Sequence, residues 1–544
     1  MKARRLGWLG ALLVGACGPT TNVGGTEGAG TGTESGSDDN TQSPTTDPDG
    51  TDDADDTSDT TDPGGETIML SVNRDIDLLV VLDNSGSMVE EQAALAASIG
   101  VLAELFEEVG ANYRIGVTTT DDGNPWCTGT TPEAGALRFS SCQARAADFS
   151  VSGTDEFQQG CLDQCAVSEL DILPTPVAGS TEVVPRPWLE VTGGVSNVAG
   201  LSPAEAIRCA VPQGINGCGF EQPLESMYKA LQRSANDTEE SFGFVRASSV
   251  LAILIVTDEA DCSYATEQET IFLPDDDRVF WSDPTSPTPT SAVCWNAGVA
   301  CQGDECMSVN LDPLGSETSE DAAVMRPVSR YVDLLQALED DKQQITPDQQ
   351  VVVSLVGGVG VDGSVTYHDS LDPTFQEDFG IGPGCSSLAG EAVPPVRVRE
   401  VTEALAIGDA QSMFSICESD YTSALQALAA QVFDQMRPAC MPACVADGDQ
   451  TTPAVDPTCV LTLHAPQVDG SVLETEVPLC AAGASDLCWD PLVGADMSNF
   501  CAEQGWNLEF GFTFAPGYSL PPGSAISADC ALSADKSVDC PGLP

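Results

Sequence analysis

Asp83, Ser85 and Ser87 end an apolar run in the stretch Asp77-Leu78-Leu79-Val80-Val81-Leu82-Asp83-Asn84-Ser85-Gly86-Ser87-Met88. One carboxylate and two hydroxyls on alternate positions of a turn are all oxygen donors. A hard divalent cation such as Mg²⁺ or Ca²⁺ takes that ligand type. A second carboxylate, Asp258, follows another apolar run at 250–256, in Thr257-Asp258-Glu259. Ligands of open α/β sheets bind beyond the carboxyl ends of the strands, so two such loops can converge on one ion. Catalytic chemistry has thinner support. Ser85 and Ser87 have no histidine nearby in sequence, the two histidines are His368 and His464, and Gly-x-Ser-x-Gly is absent. Asp258, Glu259 and Asp261 form an acidic group that could move protons, but acidic loops recur throughout the chain. No catalytic residue is assigned.

The segments that must position these donors alternate between strand and helix signals. Within 77–82, the residues after Asp77 are continuously apolar, as a strand covered on both faces of a parallel sheet requires. Residues 90–109 place Leu95, Ile99, Leu102 and Leu105 or Phe106 on one helical stripe. Strands are expected at 113–117, 250–256, 351–356 and 413–416, and helices at 223–233, 322–338 and 421–436. The alternation predicts an α/β fold with a doubly wound, mostly parallel sheet. The intervening segments 121–218, 259–320 and 357–412 are too long for structureless loops unless stapled. Cysteines from Cys127 to Cys385 lie within them and can supply the staples. Trp126, Trp188, Trp281 and Trp295 also lie there, either as a contact surface or as plugs of small cores. Beyond Pro438, Cys-rich sequence without a helix signal and with strand signals at 460–463, 472–477 and 507–514 predicts a small, disulfide-stabilised, mostly β module.

The stretch DLLVVLDNSGSM followed by ILIVTDE resembles the von Willebrand factor A (vWA) domain and its metal-ion-dependent adhesion site (MIDAS). The resemblance covers residues 74–436, interrupted by the insertions. It implies that Asp83, Ser85 and Ser87 fill the first metal loop and Asp258 the last. The middle position departs from the family pattern. Where many members have Thr-Pro-Leu, this chain has Glu221-Gln222-Pro223-Leu224. Gln222 falls at the Thr position, while Glu221 is the stronger oxygen ligand, and either could coordinate directly or through water. The resemblance implies a divalent cation, Mg²⁺ first with Ca²⁺ or Mn²⁺ as alternatives. It implies adhesion to a protein ligand whose acidic side chain completes the ion's coordination. It also implies that the closing helix at 421–436 can shift with ligation. The alternative is a structural envelope protein with a metal-free, degenerate site, and a surface hydrolase ranks last.

The chain reads as four parts: 1–17, 18–66, 67–438 and 439–544. The first has a basic start, a short apolar run and the ending Val14-Gly15-Ala16-Cys17, which resembles the bacterial lipobox with Cys17 as the lipidated residue. The run is too short to span a bilayer. The expectation is an exported protein, lipid-anchored to the bacterial cell envelope at the outer membrane, its only contact with the membrane being the anchor. Residues 18–66 hold 13 acids, no Lys or Arg, and hardly an apolar side chain, so they predict a disordered linker. A linker of this length spans roughly 40 Å. The formal net charge of −64 disfavours nucleic acid as a partner and favours divalent cations or basic surfaces. Of 21 cysteines, setting Cys17 aside leaves an even number for intrachain disulfides in an oxidising compartment, with the pairing open. The CxxxC pairs Cys161/Cys165 and Cys440/Cys444 have no adjacent His and say little for zinc.

Overall fold

The computed structural model describes residues 66–544 except 71–73, 152, 276–277, 347, 389, 437, 450, 453, 467–470, 483–485, 516–517, 519, 521–523 and 544. The signal-like segment, the lipobox residue Cys17 and the linker up to residue 65 lie outside the described residues.

The first strand, β1 (Glu66–Leu70), belongs to a small sheet treated below. The main sheet takes β2 (Asp75–Leu82), β3 (Asn112–Thr119), β4 (Leu189–Thr192), β5 (Val195–Ser196), β6 (Val250–Val256), β7 (Val352–Gly357) and β8 (Met413–Ser415). Their spatial order is β8-β7-β6-β2-β3-β4-β5. The five strands from β8 to β3 are parallel, and β4 and β5 add antiparallel to the β3 edge. The helices are α1 (Val89–Ser98), α2 (Gly100–Glu108), α3 (Pro203–Ala210), α4 (Pro223–Ala235), α5 (Ala292–Gly298), α6 (Ser329–Gln343), α7 (Pro373–Phe379), α8 (Val396–Ala404) and α9 (Thr422–Gln435).

The apolar run of β2 is continuous because both of its faces are covered. Ile76, Leu78, Val80 and Leu82 pack with Leu95, Leu102, Phe106, Ile207 and Leu428 on one side. Leu79 and Val81 pack with Leu224, Met227, Tyr331, Leu335 and Val401 on the other. Each such side chain, fully buried, contributes about 1.5–3 kcal/mol. The mixed α/β sandwich with a large, mostly parallel sheet is thus the direct consequence of where the apolar runs fall.

Some expectations change in detail. The helix expected at 90–109 is two, α1 and α2, meeting at Ile99, although Leu95, Ile99, Leu102 and Phe106 keep one buried stripe. Gly100 stands where α3 approaches, and a Cβ there would lie 3.3 Å from that of Ala204. The helix expected at 322–338 starts only at Ser329 and is preceded by a 3₁₀ turn at Glu320–Ala322. Pro327 biases the preceding residue away from helix, which accounts for the late start. The three long insertions carry elements that the sequence reading left unassigned, including β4, β5 and α3 in the first, α5 in the second, and α7 and α8 in the third.

The twenty cysteines other than Cys17 pair as 127–218, 142–161, 165–209, 262–294, 301–306, 385–417, 440–501, 444–540, 459–530 and 480–488. Neither CxxxC pair bonds within itself. Bridges of this number persist in an oxidising, extracytoplasmic setting. Trp281 and Trp295 are buried in small cores of the insertions, Trp188 is buried in the core on one face of the main sheet, and Trp126 is 37% exposed.

The C-terminal segment builds β9 (Cys459–Pro466), β10 (Val472–Val477), β11 (Leu487–Leu492), β12 (Glu509–Phe514) and β13 (Ala525–Cys530). Two short helices, Asn499–Glu503 and Lys536–Asp539, occur where none was expected. One sheet has the order β1-β13-β9-β10, and β11 pairs with β12. β1 runs antiparallel to β13, with Glu66 opposite Cys530 and Leu70 opposite Ile526. Residues 67–70, assigned from sequence to the preceding domain, therefore pair in the C-terminal sheet, and the main α/β body is inserted after its first strand. Among the described residues, no helix is long and apolar enough to cross a membrane.

Candidate functional site

The register of the main sheet brings four strand ends to one level. Leu82 lies opposite both Thr119 and Val256. One residue further, the Asp83 amide donates to the Val256 carbonyl at 2.9 Å, Thr120 N to Leu82 O at 3.1 Å, and Thr257 N to Val356 O at 3.1 Å. Asp83, Thr120 and Thr257 therefore stand side by side where the strands stop.

Asp83 is fully buried and its carboxylate is held by donors. The Ser85 amide donates to Oδ1 at 2.8 Å, and the Thr257 hydroxyl donates to Oδ2 at 2.6 Å. The Ser85 hydroxyl and the Asp258 amide also bond it. The Oγ atoms of Ser85 and Ser87 are 3.0 Å apart. Ser87 also bonds Asp258. From α1, the Gln92 amide donates to Asp83 O at 2.8 Å and to Gly214 O at 2.7 Å, clamping the turn to the first insertion. Gly217 serves the same closure, since a Cβ there would lie 2.3 Å from Asn84 Oδ1 and force the Asn84 side chain to move. Ser87 and Gly86 are exposed, so the site has an open side.

The ambiguity between Glu221 and Gln222 resolves by direction. Glu221 is fully buried, accepts from the Thr120 hydroxyl through Oε2, and lies close enough to Asp83 and Glu259 to feel their charges. The Gln222 amide instead donates to Gly123 O at 2.8 Å, as α4 begins at Pro223. The site thus gathers Asp83, Ser85, Ser87, Glu221 and Asp258, and turns Gln222 to a backbone carbonyl.

Two oxygens in this group, Glu221 Oε1 and Asp258 Oδ1, are buried without a hydrogen-bond partner. Burial, then the Asp83 and Glu259 charges, push Glu221 and Asp258 well above the usual carboxylate range. Burial also raises Asp83, against its hydrogen bonds. Burial and Asp83 push Glu259 up to about 8. By contrast, Asp261 is neutralised by Arg397 at 2.8 Å and bonds Ser263, so it stands apart from this group. Orphaned carboxylate oxygens among like charges fit a cation, which would supply the missing countercharge. Among the described residues, no group of three or more His, Cys, Asp or Glu is placed to hold a metal ion. A cation here would depend on the serine hydroxyls together with few carboxylates.

Sequence reasoning missed Thr120, Thr257 and Gln92. The two threonines directly follow β3 and β6, so the strand-end rule that selected Asp83 and Asp258 applies to them as well. Gln92 carried no signal, because two of the three residues it bonds, Gln213 and Gly214, lie 121 and 122 residues away in the chain. Neither histidine joins the serines: His464 bonds Ser527 in the C-terminal sheet, and His368 is exposed in the third insertion.

No family model and no curated protein matches the chain. Solved structures are similar at low identity. The pilus adhesin SpaC from Lactobacillus rhamnosus GG is 9% identical with a TM-score of 0.28, over 85% of this chain and 40% of that one. A von Willebrand factor type A protein from Catenulispora acidiphila is 11% identical with a TM-score of 0.25, over 85% and 59%. An adhesive tip pilin from Group B Streptococcus agalactiae is 13% identical with a TM-score of 0.27, over 87% and 81%. The chain spans 40% and 59% of the first two proteins' lengths.

Proposed function

We propose that this protein is a cell-surface adhesin that captures a partner's carboxylate through a divalent cation held by Asp83, Ser85, Ser87, Glu221 and Asp258. The observation that carries the reading is the pair of buried, unpartnered oxygens, Glu221 Oε1 and Asp258 Oδ1, beside Asp83. Mg²⁺ suits this all-oxygen donor set first, with Ca²⁺ or Mn²⁺ as alternatives. When bound, the cation supplies an electrophilic position for an anionic oxygen of a protein ligand. Ser87 lies at the open side with Gly86, so an arriving carboxylate meets a hydroxyl there. Thr257 and the Ser85 amide fix Asp83, and Thr120 fixes Glu221, so the donors are oriented before binding. Cys17 would carry a lipid that tethers the protein to the outer membrane through the acidic linker. Incorporation of radiolabelled palmitate that is lost in Cys17→Ala tests the anchor.

A second reading, an envelope component that docks partners without metal, is favoured by one fact. Among the described residues, no three His, Cys, Asp or Glu converge on a metal position. Titration calorimetry of the full chain with Mg²⁺ and Mn²⁺ separates the two. The adhesin reading expects saturable binding, weakened at least about tenfold, or 1.4 kcal/mol, in Asp83→Ala. Equal affinity in wild type and variant would overturn it in favour of the metal-free one.

A further inference from the structure

Beside the Asp83–Ser87 turn lies a polar cavity of about 70 Å³, lined by Asn84, Asp121, Glu133, Arg138, Asp148 and Gly217 among others. A single water needs roughly 10–15 Å³, so the cavity admits a group of several heavy atoms. Asn84 is 4% exposed and its Oδ1 has no hydrogen-bond partner. That oxygen is packed against Gly217, and the remaining polar groups of the wall face the cavity.

The charge around the cavity is unbalanced. Arg138 Nη1 lies 2.9 Å from Glu133 and 3.3 Å from Asp148. Its Nε and Nη2 donate to Gln213 Oε1 and O, at 2.8 and 2.6 Å. Two guanidiniums, Arg138 at the cavity wall and the buried Arg145 near enough to feel Asp148 and Glu133, stand against three carboxylates, counting Asp121, which accepts from the amides of Gly123 and Cys218 at 3.0 and 3.3 Å. The excess of carboxylates favours an occupant that donates hydrogen bonds and carries a single positive charge. A divalent ion would crowd its double charge against the fixed guanidinium of Arg138, which already lies beside Glu133 and Asp148. A primary ammonium needs only acceptors around a compact charge on a slender stem.

We propose that this cavity is a subsite for a primary ammonium, the lysine side chain of the protein whose carboxylate engages the neighbouring cation site. The identity of that partner rests on the proposed function, but the chemistry of the cavity stands without a cation. The recognised surface then carries an acid and a lysine close together, and a purely acidic surface is a poorer ligand.

Saturation-transfer NMR on the full chain tests this, with N-acetyl-lysine amide, its Nε-acetyl form and n-butylammonium as probes, in EDTA and in Mg²⁺. The expected result is saturation of the lysine ε-methylene in both buffers and none for the Nε-acetyl form. The signal should fall at least about fivefold in Asp148→Asn. Asn216→Lys, at an exposed lining position, should remove it by placing the chain's own ammonium in the cavity, with folding followed by near-UV circular dichroism. Equal saturation of both lysine probes, or indifference to both variants, would overturn the proposal. So would binding of butylammonium alone, which assigns the cavity to free amines. Lysine binding that persists while Mg²⁺ fails to bind would remove the cation reading and leave the subsite standing.

Discussion

The buried carboxylates around Asp83 give the fold a pH signature. Burial pushes Glu91 up to about 7, and burial together with Asp83 pushes Glu259 up to about 8. In an unfolded chain a glutamate titrates near 4.3. A folded pKa above the unfolded one means that the fold binds more protons than the unfolded chain in between. The stability from these groups is fully present below about pH 4.3 and is lost as pH rises through 7 to 8. In EDTA the Tm should therefore fall between about pH 5 and 8. Glu259→Gln should flatten part of that fall, and millimolar Mg²⁺ should flatten more of it. The whole chain's negative charge also lowers Tm as pH rises, so the difference between variant and wild type is the diagnostic quantity. Identical pH profiles for the two, measured by differential scanning calorimetry, would refute the role given to Glu259.

At the scale of elements, the site depends on how tightly the first insertion is drawn against the β2–α1 turn. Gly217 donates its amide to Asn84 O at 2.8 Å, and Gln92 of α1 bonds both Gly214 and Asp83. A Cβ at Gly217 would collide with the Asn84 amide, whereas one at Gly219 would meet nothing within 4 Å. Gly217→Ala should cost about 1–3 kcal/mol, as overpacking does, and weaken cation binding. Gly219→Ala should change neither by a measurable amount. Urea unfolding and calorimetry of the two variants read both outcomes, and equal effects would mean that the close approach at Gly217 does not hold the turn. The disulfide Cys127–Cys218 pins the same insertion from its other side. Cys385–Cys417 does so for the third insertion, just before α9, and restrains the segment that leads into the closing helix.

At the scale of the molecule, the chain enters through β1, which pairs with β13 near the opposite end of the sequence. The C-terminal module is therefore completed by residues that precede the main body, and Leu70 belongs to its core with Leu461, Phe510 and Ile526. A chain beginning at Asp75 would bare the β13 edge and remove that core residue. Limited proteolysis followed by mass spectrometry should then release fragments of 439–544 at least about tenfold faster than from the full chain, while 75–436 persists. A module that remains equally resistant would show that β1 is dispensable.

Much of this was legible in the one-dimensional pattern. The buried strands β2 and β6 announced themselves through the apolar runs 78–82 and 250–256, because covering both faces of a strand excludes polar residues that lack a partner, and the one buried acid of β2, Asp77, is paired with Arg246. The Asp83, Ser85, Ser87 and Asp258 donors followed from their places just after those runs. The sequence also supplied an even set of cysteines, but a pairing depends on which Cα atoms come within bridging distance, and only the packed chain decides that. The same holds for the choice between Glu221 and Gln222. They are adjacent in sequence and both can offer an oxygen, and only the start of α4 turns one toward Asp83 and the other toward Gly123. The capture of β1 by β13 is the extreme case, a hydrogen-bonded pairing between residues 66–70 and 526–530 that no local periodicity encodes.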